Sequence, residues 1–100
     1  MFEIEFKDLN EALKVLPYAR VYQSPFDKEN EFSLEVKCAN GGSYEAFKKL
    51  KDLAINEGYL YDNYFEHMDI NGDYCFEAKF YVETGKVRTA YRQNSVTKVE

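Results

Sequence analysis

Apolar and polar residues change their spacing several times along this chain, and each change marks an element. Residues 1–6 alternate Phe2, Ile4 and Phe6 with Glu3 and Glu5, the period of a half-buried strand. Asp8, with Glu11 three positions on, forms a capping-box pattern, and Leu9, Ala12, Leu13 and Leu16 then share one helical face. Pro17 stops that helix, predicted over 8–16. Two strands follow, at 18–24 and 31–38; in the second, Phe32, Leu34, Val36 and Cys38 alternate with Ser33, Glu35 and Lys37. The polar loop PFDKEN between them predicts a hairpin. Asn40, Gly41 and Gly42 break the strand, and Ser43 caps a second helix over 44–57 with Phe47, Leu50, Leu53 and Ala54 inward. Gly58 ends it, and Lys48, Lys49 and Lys51 form a solvated face.

The last third reads as a meander of three strands. Asn71-Gly72 is a strong hairpin signal, because both central residues of a type I′ turn need positive φ. A two-residue loop there pairs Ile70 with Asp73, Met68 with Cys75 and Glu66 with Glu77. Phe65, His67, Tyr74, Phe76, Ala78, Phe80 and Val82 then form the core face. Glu66, Met68, Asp73, Cys75, Glu77, Lys79 and Tyr81 face outward. A further turn at Gly85-Lys86 sets Glu83 opposite Arg88 and brings Tyr91 beside Phe80, while 94–100 frays.

The expected fold is α+β, an antiparallel-rich sheet of five to six strands with two helices on one face, in βαββαβββ order. Its opening βαββα resembles the ferredoxin-like split unit. One hundred residues suit a single domain, and 45% apolar with 17% aromatic content excludes a disordered chain.

Charge narrows the function. A net charge of −5 argues against direct nucleic-acid or anionic-membrane binding. The start MFEIEFKDL lacks the basic and apolar regions of a signal peptide, and no run approaches the ~18 apolar residues of a membrane span. A cytoplasmic chain is expected. Cys38 and Cys75 lie on different strands without CxxC spacing; buried thiols are expected, with a disulfide left open.

Chemistry-bearing patterns are weak. With Gly72 at the sixth position of a calcium loop, the first falls on His67 and the twelfth on Ala78, so two strong oxygen ligands are missing. His67 is the only histidine, with neither cysteine near it in sequence; it reads as a hydrogen-bonded core residue. Gly41-Gly42 before Ser43 lacks both phosphate-loop and dinucleotide spacing. No enzyme, cofactor or metal is expected.

Residues 57–83 carry seven carboxylates against Lys79 alone, among eight Tyr and Phe. Acids set among tyrosines suit a basic partner, since tyrosine gives contact area while carboxylates pair with Lys and Arg. The expected partner-binding residues are Asp62, Glu66, Asp69, Asp73, Glu77, Tyr59, Tyr61, Tyr64 and Tyr81. Glu3 with Glu5, Glu31 with Glu35, and Glu66 across from Glu77 would line the open side of the sheet; the bland alternative is ordinary solubilising charge. In size, acidity and lack of a catalytic constellation, the chain is similar to small phage-encoded counter-defence proteins, including anti-CRISPRs. That likeness is one of type, without a diagnostic motif. It implies a non-catalytic inhibitor of a nucleic-acid enzyme, acting on its basic groove in the host cytoplasm. Alternatives are an immunity protein or antitoxin against a toxin nuclease, a small-ligand-binding domain, and a homodimer seeded by Met68 and Cys75 beside Tyr81.

Overall fold

The computed structural model describes residues 8–23 and 25–82. Within them the fold is α+β, with a four-stranded antiparallel sheet and two helices. The elements run α1 (Leu9–Val15), β1 (Ala19–Tyr22), β2 (Glu31–Lys37), a 3-10 turn (Cys38–Asn40), α2 (Tyr44–Asn56), β3 (Leu60–Met68) and β4 (Tyr74–Tyr81). The sheet order is β1-β2-β4-β3. The strand predicted over 1–6 and the turn and strand predicted after residue 82 lie outside the described residues.

Both helix starts form as their caps dictate. The Asp8 carboxylate accepts from the Glu11 amide at 2.8 Å, and the Ser43 hydroxyl from the Ala46 amide at 3.1 Å. Glu57, at the end of α2, reaches back to accept the Leu9 amide at 2.6 Å, tying α2 to the start of α1. Gly42 permits the close return from β2 into α2. A Cβ there would lie 2.4 Å from the Lys37 carbonyl oxygen and 2.7 Å from Val36 Cγ1.

The core lies between the helices and one face of the sheet. Leu9, Ala12, Leu13, Phe47, Leu50 and Ala54 meet Ala19, Val21, Phe32, Leu34, Val36, Ala78 and Phe80 there. The Phe32 ring stacks on Phe80 at 5.5 Å and meets Tyr59 edge-on at 5.0 Å. Tyr59 is therefore a buried core residue, not the exposed anchor its acidic surroundings suggest.

The β3–β4 hairpin departs from the predicted register by one residue. Met68 pairs with Tyr74, His67 with Cys75, Glu66 with Phe76, and Phe65 with Glu77. The loop is three residues, Ile70–Gly72, closed by the Asp69 amide bonding the Asp73 carbonyl at 2.9 Å. The Asp69 carboxylate causes this: Oδ1 accepts from the amides of Asn71 and Asp73, and Gly72 takes the positive φ of 84° that the longer turn requires.

A one-residue slip sends the β3 side chains from Asn63 to Met68 to the other face. Phe65 and His67 leave the expected core face, while Tyr64, Glu66 and Met68 move to the helix side. There Tyr64 packs 5.3 Å from Phe47. Glu66 and Glu77 accordingly sit on opposite faces, and Met68 and Cys75 are not the neighbours expected for a dimer patch.

Candidate functional site

Two features emerge on the sheet side away from the helices and along β3. The first is an enclosed polar cluster. Arg20 pairs with Glu35, Glu35 with Glu77, and Glu77 with Phe65 in one rung; Lys37, Cys75 and His67 form the next. Residues opposite one another share a face, so these side chains converge.

Glu35 and Glu77 are only 2% and 3% exposed. Charges held this far from water need partners. The Arg20 Nε donates to Glu35 Oε1 at 2.7 Å, and its guanidinium lies 4.2 Å from the Tyr22 ring centre. The Tyr22 hydroxyl donates to Glu77 Oε2 at 2.5 Å, and His67 Nε2 lies 2.7 Å from Glu77 Oε1 and 3.5 Å from Glu35 Oε2. Burial, then the hydrogen bond to Glu77, raises the Tyr22 phenol well above its ordinary value, so it serves as a fixed donor. Burial and the Glu35 charge push the Cys75 thiol up to about 11, so it stays protonated and is a poor nucleophile. Both Cys38 and Cys75 are free thiols.

Flanking ion pairs engage further acids. Lys37 Nζ donates to Asp69 Oδ2 at 2.9 Å, and Lys79 Nζ to Asp27 Oδ1 at 2.5 Å. The Lys37 hydrogen bond, with the turn amides, holds the Asp69 carboxyl at about 2. Glu77, expected as a docking carboxylate, thus turns to internal partners, as do Asp69 and Glu35. Among the described residues, Glu35, Glu77 and Asp69 of the expected acidic platform form an ion-paired network, because each has a donor within reach on a strand of the sheet.

The second feature is β3 itself, an edge strand among the described residues. Asp62 and Glu66 are exposed there, beside exposed Leu60, Tyr61, Phe65 and Met68; Ile70 at the turn is 98% exposed, and Tyr74 is exposed across the hairpin. Residues 60–74 contain no Lys or Arg. The Tyr64 and Tyr74 hydroxyls both donate to the Glu66 carboxylate, fixing its position. Burial, then the Glu66 hydrogen bond, raises the Tyr64 phenol, so its proton stays in place. Lys51 of α2 approaches the Tyr61 ring at 4.9 Å, so one face of that ring already has a cation. A register irregularity between Tyr61 and Asn63 leaves Asp62 bulged at the start of the strand.

Of the predicted partner-binding residues, Asp62, Glu66, Tyr61 and Tyr64 gather on β3, with Asp69 and Asp73 at its turn. Tyr81 is half-buried at the end of β4; Glu77 and Tyr59 are withdrawn. Sequence reasoning missed two exposed aromatics: Phe65, which the two-residue loop turned to the core face, and Tyr74, which keeps the face of Phe76 but opens β4 with 41% of its surface exposed. It also missed the approach of His67 to Cys75, which a three-residue loop count would have shown.

A cleft of about 230 Å³ lined by Pro17, Tyr18, Ala19, Arg20, Lys37 and Asn40 is smaller than the ~300–1,000 Å³ usual for drug-sized ligands. No helix among the described residues is long and apolar enough to cross a membrane. Comparison with family models, with curated proteins and with solved structures finds no match for this chain.

Proposed function

We propose that this protein is a non-catalytic inhibitor that docks the β3 hairpin on a basic, nucleic-acid-binding surface of a partner protein. The supporting observation is the largely exposed edge strand and turn from Leu60 to Tyr74, without a Lys or Arg of its own, which carries Asp62 and Glu66 with Tyr61, Met68 and Tyr74, and Phe65 on its other face. Aromatic side chains give contact area at small entropic cost, and carboxylates steer toward Lys- and Arg-rich surfaces. Glu66 is preorganised by two tyrosine hydroxyls, so it loses little freedom on pairing with a cation. The docking residues are Asp62, Glu66, Tyr61, Phe65 and Tyr74, with Asp73 at the rim; Asp69 shapes the turn. Phage counter-defence of the anti-CRISPR type is the setting that fits a small acidic protein acting in this way within a host cytoplasm.

A photo-crosslinking residue placed at Phe65 and, in a second protein, at Lys48 on α2 tests the surface used. Crosslinks from position 65, absent from position 48 and suppressed by nucleic acid, support the reading. Crosslinks from position 48 alone, or none that nucleic acid suppresses, contradict it.

A further inference from the structure

We propose that Glu35, His67 and Cys75 form a binding site for a divalent transition metal, with zinc the best chemical match. One carboxylate oxygen, one ring nitrogen and the thiol sulfur lie within 4.8 Å of one another. The three come from β2, β3 and β4, so the sheet register itself assembles them; Cys75 is the cross-strand partner of His67. Oxygen, nitrogen and sulfur donors together suit zinc and disfavour calcium and magnesium, which prefer oxygen alone.

Two further observations point to a cation here. Glu35 and Glu77 oppose each other across adjacent strands while nearly excluded from water, and like charges so placed repel. Arg20 supplies one positive charge, to Glu35; Glu77 receives a neutral phenol and the imidazole. A dication held by Glu35 beside this pair meets that deficit. Glu77 Oε1, 2.7 Å from His67 Nε2, also holds the imidazole beside Glu35, and a metal on that nitrogen takes the place of this hydrogen bond. Entry is past His67, whose side chain is one-third exposed.

Binding breaks the Cys75 S–H bond, forms a metal–sulfur bond and releases the proton to solvent. The metal's own positive charge favours the thiolate there.

The test uses the untagged full chain, titrated with zinc by calorimetry and with cobalt by absorption. A single saturable site, a melting temperature raised by zinc, and a thiolate-to-cobalt charge-transfer band are expected. His67→Gln should weaken zinc binding by more than the roughly tenfold to hundredfold typical of outer-shell losses. Cys75→Ser should abolish the charge-transfer band. Should Cys75→Ser fail to fold, Cys38→Ser gives the independent reading: the band survives it if Cys75 is the ligand. No zinc or cobalt uptake by the folded chain, uptake indifferent to His67→Gln, or a band lost in Cys38→Ser overturns the proposal.

Discussion

Glu35 and Glu77 stand directly opposite each other on β2 and β4, both nearly excluded from solvent, yet each carboxylate has its own set of donors. Arg20 serves Glu35, while Tyr22 and His67 serve Glu77. The pair turns the non-helical side of the sheet into an internal network, while Asp62 and Glu66 of β3 stay exposed.

That division predicts unequal costs for two glutamates that alternate sequence reading treats alike. In metal-free buffer, Glu77→Ala strands the Tyr22 hydroxyl and the imidazole, and should cost about 2 kcal/mol in urea unfolding. Glu66→Ala leaves the Tyr64 and Tyr74 hydroxyls to water on an exposed strand, and should cost less, about 0.5–1 kcal/mol. Equal costs would contradict the register.

Two glycines separate backbone strain from steric conflict. Gly72→Ala forces a side chain into the left-handed region and should cost about 1–2 kcal/mol, since nothing lies near its Cβ. Gly42→Ala meets the Lys37 carbonyl and Val36 at distances that real contacts do not reach, so the chain must shift and the loss should be larger. Thermal melting of both variants checks the order.

Glu57 predicts a pH dependence. Burial raises its carboxyl above the ordinary value of 4.5, against the lowering effect of the Leu9 amide. The folded chain therefore binds this proton more tightly than the unfolded chain does. Its contribution is complete below 4.5 and is lost as pH rises through the folded value. Glu57→Gln removes that loss, so its melting temperature relative to the parent should climb from acid to neutral pH. A difference that shrinks over the same range contradicts the assignment.

Much of the fold was legible from local rules. Asp8 and Ser43 cap the helices that their spacing predicts, and Phe32, Leu34 and Val36 point inward as their alternation requires. The hairpin was not legible, because Asn71-Gly72 favours a two-residue turn whereas the Asp69 carboxylate captures two amides and admits Ile70 to the loop. Packing of Tyr64 on Phe47 is a tertiary contact that no local pattern reveals. From that single slip follow the exposure of Phe65, the meeting of His67 with Cys75 and the separation of Glu66 from Glu77. Tyr59 shows the same limit, since Phe32 lies far from it in sequence yet packs edge-on against its ring.

The central claim is that β3 binds a basic protein surface in place of nucleic acid. It is tested most directly by the affinity of the partner crosslinked from position 65, measured against rising salt for the parent chain and for Asp62→Asn combined with Glu66→Gln. The account predicts parent binding that weakens with salt, competes with nucleic acid and falls at least about tenfold in the double variant, the loss of some 1.4 kcal/mol. Binding of equal strength in both proteins, indifferent to salt and to nucleic acid, would contradict it.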